Sequence, residues 1–533
     1  MKAAFDIAVV GSGFGGSLMA MMARRLGHRV ILLERGRHPR FAIGESSTPL
    51  ANLLLEELAS RHGLTRLSSL SRWGSWRRHH PRIGCGLKRG FSFFHHQFGK
   101  PFRVSEARSE QLLVAASPCD ELADTHWYRP DFDEFLVREA RACGVEYWDE
   151  AEVERFERGG GGVWLHGRRR GGEFSIRARF VIDATGPRGL LHRELQLAEV
   201  SYADLPRTEA LFSHFNGVGK LEDTGVSGGE IPPYPVDAAA VHHVFEGGWI
   251  WVLNFENGVT SAGVAATETL ARELGLEEGG PAWERLLDRL PTVRSQFERA
   301  AAILPFRHLP RLSFRSATVT GDRWALLPSA AGFVDPLLST GFPLTLLGVS
   351  RLVEILEQDW GTSRFGERLG RYGELTGQEL AATGRLIGAM YRHLGDPEVF
   401  HALARVYFAA ASFSESSWRL GRLGLWQPFL LQDHPEFGPA SRECLEQALR
   451  LPANGGRSPE RAALLRRIDE GIRSVDVAGL GDEHRRNWHP VRFEDLIGGA
   501  EKLGVERGRV EALARALGFG DAGRDTVRGV RAR

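Results

Sequence analysis

Apolar residues recur in two rhythms along this chain. Up to about residue 350 they form short runs bounded by glycine, proline and polar clusters, the pattern of strands separated by turns. Beyond 350 they return at helical spacing, which predicts helices over 351–358, 365–393, 398–412, 439–451, 459–475, 493–503 and 510–517. At the N-terminus, Asp6-Ile7-Ala8-Val9-Val10 reads as a strand. Gly11-Ser12-Gly13-Phe14-Gly15-Gly16 follows at once and leads into a helix over 17–26. A second strand, 30–33, ends at Glu34. Further strands are expected at 179–183, closed by Ala184-Thr185-Gly186, and at 324–327, which continues through Pro328-Ser329 into the loop 332–341.

Composition narrows the class. The 533 residues are 42% hydrophobic and 25% charged, which suits a globular protein and excludes a disordered or fibrous one. Lys plus Arg number 68 against 67 Asp plus Glu, so a net charge of +1 gives no pull toward nucleic acid or an anionic membrane. Cys85, Cys119, Cys143 and Cys444 are scattered without zinc-like spacing, which points to reduced thiols in a cytoplasmic protein and to no structural metal. The apolar stretch 3–23 reads as strand, turn and helix instead of a signal peptide, and no stretch is long enough to anchor the chain in a bilayer. The histidine pairs at 79–80, 95–96 and 242–243 do not suggest a metal, because neighbours on a strand face opposite ways. Residues 159–162 are expected at a hairpin tip, and the tail 519–533 to be mobile.

The glycine turn carries the first chemistry. Gly11 permits a tight turn, Gly13 lets the backbone approach a pyrophosphate, and Gly16 lets the following helix pack on the strand; Phe14, within the turn, is a further cofactor candidate. Glu34, eighteen residues after Gly16 and followed by Arg35, is placed to bind a ribose hydroxyl. The alternative is a tight turn in an unrelated α/β protein.

The downstream segments add a resemblance. Ala184-Thr185-Gly186 and the strand at 324–327 resemble the second and third FAD-contacting segments of the family containing aromatic-ring monooxygenases, geranylgeranyl reductases and flavin-dependent halogenases. That family has Gly-Asp where this chain has Pro328-Ser329, so Ser329 stands in for a contact to the flavin's side chain. Ile43-Gly44-Glu45-Ser46-Ser47-Thr48-Pro49 resembles the halogenase loop over the flavin, which makes Gly44, Glu45 and Ser46 cofactor candidates; it also reads as a helix start capped by Ser47 or Thr48. Lys88, among Gly86-Leu87-Lys88-Arg89-Gly90-Phe91, resembles the halogenase lysine that takes up hypohalous acid, although a Lys-Arg pair is ordinarily a solvated charge. Trp249 and Trp251 share one strand face and resemble the tryptophans that keep substrate from the flavin; Leu253-Asn254 replaces the family's Ile-Pro. In the loop 332–341, the resemblance assigns Asp335, Pro336, Gly341 and Phe342 to the flavin and the backbone N–H groups of Thr340 and Gly341 to a halide. Leu338 occupies the position of a glutamate that tryptophan halogenases use.

The resemblance implies an α/β, Rossmann-like FAD-binding fold with an inserted β-rich substrate region. The FAD domain would span 1–350 with insertions at about 60–180 and 190–320, and a helical region, 351–518, would cover the substrate. It further implies FAD, used as FADH2 with O2 and chloride or bromide, halogenating an electron-rich phenol, pyrrole or carrier-bound aromatic through Lys88. One dinucleotide fingerprint implies a separate NAD(P)H-flavin reductase. The alternative is a flavin monooxygenase or dehydrogenase of the same fold.

Overall fold

A computed structural model describes residues 4–453, 456 and 458–516. Strand Ala4–Val10 pairs in parallel with Val30–Leu33 on one side and with Gly172–Asp183 on the other. Their sheet runs in the order Thr320–Gly321, Trp324–Leu326, Gly172–Asp183, Ala4–Val10, Val30–Leu33, Glu146–Trp148. The hairpin Ala151–Gly159 and Gly162–Arg169 is appended to the long strand Gly172–Asp183. Val30–Leu33 is buried at every position, as a parallel strand covered on both faces requires. Helices Phe14–Arg25 and Arg129–Ala142 pack on this sheet, and Gly341–Gln358 packs on Phe14–Arg25.

A second sheet is built mostly from residues 90–309, in the order Ala301–Ala302, Thr208–Asn216, Val259–Thr267, Gly248–Asn254, Ala240–Phe245, Gly90–His95, Gln111–Ala115, Trp488–His489, its last strand coming from the C-terminal region expected to be helical. Strand alternation divides its two faces. Ile250, Val252 and Phe94 belong to a separate apolar cluster, whereas Trp249, Trp251, Phe91 and Phe93 belong to the main core shared with the first sheet and the helices. The shared face of the two tryptophans therefore looks into the molecule. Asn254 continues the strand opposite Thr260, and its side chain accepts from the Thr260 hydroxyl at 3.0 Å and donates to the Asp237 carbonyl at 3.3 Å, contacts a proline lacks.

Helices Phe365–Arg392, Pro397–Arg419, Phe437–Arg450 and Pro459–Gly471 make the C-terminal region. Arg351, itself fully buried, ties this region to the first sheet's helices through a bidentate pair with Glu379, at 2.7 and 2.8 Å.

Several expected boundaries move. The helix that the sequence opens at Phe342, after the loop 332–341, begins at Gly341 and runs unbroken to Gln358, so 351–358 is its end and not a separate element; 342–350 is buried at every position. The segments expected to run to 475 and 503 stop at Gly471 and Gly498, where glycine lowers the preference for helix. The segment 127–133, which reads in the sequence as opening a helix through Ala142 with an acid-rich first turn, divides: Trp127 ends the strand Asp124–Trp127, and the helix starts at Arg129 and runs to Ala142. The expected mobile tail, 519–533, lies outside the described residues, as does Leu517.

Candidate functional site

A cleft of about 1020 Å³ opens along the carboxyl ends of the parallel strands, at the upper end of the roughly 300–1,000 Å³ usual for cofactor sites. Gly11, Gly13, Phe14 and Gly16 form its floor. Gly11 has φ +101°, and a side chain at Gly16 would overlap the Gly11 carbonyl. At Gly13 a Cβ would meet only guanidinium groups, those of Arg129 at 3.6 Å and Arg40 at 4.0 Å, so this backbone faces the cleft bare. Residue type at the turn is thus set by close approach at two positions and by an open cradle at the third.

Glu34 and Arg35 line the cleft beside the turn. The Glu34 carboxylate accepts from the Ser12 N–H at 3.0 Å, the Ser12 hydroxyl at 2.8 Å and the Gly36 N–H at 2.8 Å. Burial alone would raise its pKa, but Arg40 and these donors outweigh it and hold the carboxyl below its ordinary range. It remains an anionic acceptor suited to sugar hydroxyls. Gly44 and Ser329 lie on the walls, with Thr185 and Arg129. Arg129 pairs with Asp133 at 2.8 Å and donates to the Gly44 carbonyl at 2.7 Å, so it fixes the 44–49 loop against the cleft.

The loop 332–341 closes the opposite wall with Asp335, Thr340, Gly341 and Phe342. Leu338 and Ser339 adopt left-handed φ of 64° and 55°, a conformation that costs a non-glycine residue on the order of 1 kcal/mol or more and persists only where surroundings enforce it. Here the enforcing contacts are visible: Leu338 is fully buried and its carbonyl accepts from the Tyr407 hydroxyl at 3.0 Å. The turn delivers Thr340 and Gly341 to the start of helix Gly341–Gln358, whose first N–H groups lack intrahelical acceptors. A Cβ at Gly341 would meet nothing within 4 Å. Asp335 accepts from the Leu337 N–H at 3.0 Å and the Tyr391 hydroxyl at 2.8 Å, and burial pushes its carboxyl up to about 7. Tyr391 in turn accepts from the Trp249 indole at 3.1 Å, which connects the tryptophan pair to the cleft wall.

Three candidates lie off the cleft. Glu45 turns its carboxylate to His214, 2.8 Å away, because the loop crosses the second sheet at that point. The Ser46 hydroxyl faces Lys88, and Pro336 is half-buried within the turn and absent from the wall. Thr48, not Ser47, caps helix Pro49–Arg61.

Lys88, at the end of strand Cys85–Lys88, is fully buried. Its ammonium donates to the Ser46 hydroxyl at 2.8 Å and to the Ser47 carbonyl, and lies 3.8 Å from the centre of the Phe91 ring. Burial lowers its pKa, and the charge of Asp124, its cross-strand partner, opposes that shift. The chain has five lysines among its 68 cations, and of those described Lys88 alone is buried. Phe91 also lines a mostly apolar cavity of about 190 Å³, together with Thr48, Tyr407, Phe408, Glu415 and Arg419 among others; Lys88 itself does not reach its wall. One loop therefore touches the cleft at Gly44, holds Lys88 at Ser46 and Ser47, and meets the cavity at Thr48. Trp249 and Trp251 line neither space; they fill the core between the second sheet and Asp335, 5.8 Å apart.

Arg129 belongs to the segment 127–133 that the resemblance sets beside the FAD, whereas sequence reasoning missed Asp124, Tyr391 and Tyr407 as parts of this site. The signal at Asp124 was a lone acid opening the run Asp124-Thr125-His126-Trp127. Among the described residues no group of three or more His, Cys, Asp or Glu could hold a metal ion, and no helix is long and apolar enough to cross a membrane.

Comparison with known proteins gives this geometry a family. Residues 6–217 match the family described as FAD dependent oxidoreductase, and residues 124–393 that described as Tryptophan halogenase. The chain is 30% identical to the tetracycline 7-halogenase of Kitasatospora aureofaciens over 68% of its own length and 66% of that protein's. It is 28% identical to the monodechloroaminopyrrolnitrin halogenase PrnC of Pseudomonas fluorescens, over 82% of this chain and 75% of the relative. The fold matches a crystal structure of halogenase PltM in complex with phloroglucinol and FAD, with TM-score 0.78 and 24% identity over 90% of this chain and 99% of that one. The bare Gly13 cradle, the anionic Glu34 and the open Gly341 fit FAD, and the chain belongs to the tryptophan halogenase family of FAD-dependent oxidoreductases.

Proposed function

We propose that this protein halogenates a compact, electron-rich aromatic ring, a phenol or pyrrole presented free or on a carrier. The observation that carries the reading is Lys88, fully buried and held at Ser46 and Ser47 by the loop that lines the cofactor-sized cleft at Gly44 and the apolar cavity at Thr48. About 190 Å³ is the scale of one aromatic ring, since a dry cavity near 150 Å³ holds benzene. When bound, FADH2 supplies the electrons with which O2 and a halide ion become hypohalous acid and water.

The chain's own residues do the rest. Gly11, Gly13 and Gly16 cradle the pyrophosphate, Glu34 takes the ribose, and Gly44, Ser329, Asp335 and Phe342 shape the remaining wall. The N–H groups of Thr340 and Gly341 hold chloride or bromide at a helix N-terminus, where converging dipoles offset its dehydration. The packed tryptophans, Trp249 and Trp251, leave no route through the core between them and exclude water from it. Lys88 holds hypohalous acid by hydrogen bond beside the cavity. There the ring's C–H becomes C–halogen, the hypohalous oxygen leaves as water, and the ring proton passes to that oxygen. Leu338 offers no carboxylate to such a ring, which favours substrates activated by their own hydroxyl or nitrogen.

A separate NAD(P)H-flavin reductase supplies the reduced flavin, because the chain carries one dinucleotide turn. Cytoplasmic residence suits its free cysteines. The test uses the protein with FAD, NADH, a flavin reductase and chloride or bromide against phenols and pyrroles, free and carrier-tethered. Halogenated product is expected, falling about 100-fold or more in Lys88→Met. Hydroxylated product formed regardless of halide overturns the reading in favour of a monooxygenase.

A further inference from the structure

Lys88 can serve hypohalous acid in two ways. An ammonium holds the oxidant by hydrogen bond, whereas a free amine reacts with it, R–NH2 + HOCl giving R–NHCl + H2O, a covalent haloamine. The groups around Nζ distinguish these states. The Ser47 carbonyl and Ser46 hydroxyl both accept from it, and the Phe91 ring presents its negative face at 3.8 Å. All three favour a cation. Nζ has three N–H donors, so one remains for an oxidant.

The matching anion is Asp124. It opens strand Asp124–Trp127 directly opposite Lys88 in the antiparallel register, and it is buried. Its Oδ1 accepts from the Asn52 amide at 2.7 Å, which supports the carboxylate form, while its Oδ2 has no partner. Nothing in the fold's own hydrogen bonding uses that second oxygen, and an unpaired buried carboxylate oxygen is costly to keep.

Taking Lys88 as the residue that receives hypohalous acid, we propose that Asp124 is its positioning residue: the Asp124 carboxylate keeps Lys88 an ammonium, so the oxidant is held by hydrogen bond and not converted to a haloamine. Burial pushes Asp124 up and Lys88 down, so the pair contends for one proton; the single Asn52 donor on Asp124 and the two oxygen acceptors on Lys88 favour that proton on nitrogen. The other groups facing the pair do not replace Asp124. His126 and His242 are driven to about 3 by burial and stay neutral, Arg419 and Glu415 on helix Pro397–Arg419 neutralise each other at 2.9 Å, and Tyr407 is pushed up and uncharged.

With only five lysines in the chain, ¹³Cε-lysine labelling gives a readable NMR spectrum in which Lys88→Met identifies the Lys88 signal. In the wild-type FAD-bound protein that signal should be an ammonium just below neutral pH. In Asp124→Asn, where the Asn52 contact survives, its midpoint should fall by about one unit or more, and Asp124→Glu should restore it. The pH profile of halogenation should move with it, and the variant should accumulate haloamine on Lys88. A wild-type Lys88 that is already an amine below neutrality overturns the proposal without any variant. An unmoved midpoint in Asp124→Asn overturns it while halogenation that depends on Lys88 leaves the functional reading intact. Full halogenation in Lys88→Met overturns that reading and this one together.

Discussion

Gly13 and Gly16 sit three residues apart in one turn, yet their substitutions should fail for opposite reasons. Gly13 has φ −65° and ψ 176°, which any residue adopts, and a Cβ there finds its nearest neighbour 3.6 Å away in a movable guanidinium. Gly13→Val should therefore fold with a melting temperature near that of the unliganded wild type. Its methyl groups would project into the cleft where the pyrophosphate needs the bare backbone, so FAD binding should be lost. At Gly16 a Cβ would overlap the Gly11 carbonyl and lie 2.9 Å from Ala184 Cβ. Restoring ordinary contact of about 3.5–4.0 Å with that carbonyl requires helix Phe14–Arg25 to retreat by roughly 1.5–2 Å across a packed core. Overpacking of this kind costs about 1–3 kcal/mol, so Gly16→Ala should destabilise the apoprotein itself. Thermal melts with and without FAD separate the two effects. FAD at a hundredfold excess over its Kd should stabilise the wild type by about 2.7 kcal/mol and Gly13→Val not at all. Stoichiometric FAD in Gly13→Val, or a Gly16→Ala apoprotein as stable as the wild type, would refute the reasoning.

Further outcomes follow from the same coordinates. Asp335, at about 7 against an ordinary 3.8, binds a proton in the folded state that the unfolded chain releases. Apoprotein stability should accordingly fall by up to about 4 kcal/mol as pH rises from 4 through 7, and a urea series in Asp335→Asn should show that slope removed. Arg351→Met leaves Glu379 buried without its cation, and denaturation should register a loss of about 3–5 kcal/mol. Gly341→Ala places its methyl in the cleft with no clash in the protein, so it should keep its melting temperature while raising the halide concentration needed for half-maximal turnover.

The parts of the site that are legible in the sequence are those in which backbone geometry dictates residue type. Gly11 through Gly16 and the acid after the second strand have fixed spacing because one turn and one strand connect them. Lys88 stands out through its flanking aromatics, which signal burial before any partner is known. Asp124 has no such local signal: its meaning comes from an antiparallel pairing with Lys88 across a long stretch of intervening chain. Arg129 is likewise defined by its bond to the Gly44 carbonyl, 85 residues away. Glu45 shows the converse. Its loop does lie beside the cleft, as its sequence suggests, but the side chain follows strand Thr208–Asn216 and His214, which local sequence does not encode.

Leu338 holds a left-handed backbone, sits fully buried and lends its carbonyl to Tyr407. A glutamate there would be a charge under a roof, with Tyr407 as its immediate ceiling. Redesigning this enzyme toward indole substrates is therefore not a single-codon exchange at 338; it demands that helix Pro397–Arg419 be rebuilt so that a carboxylate has somewhere to look. What can stand at position 338 is thus set by the placement of a helix whose Tyr407 lies 69 residues further along the chain.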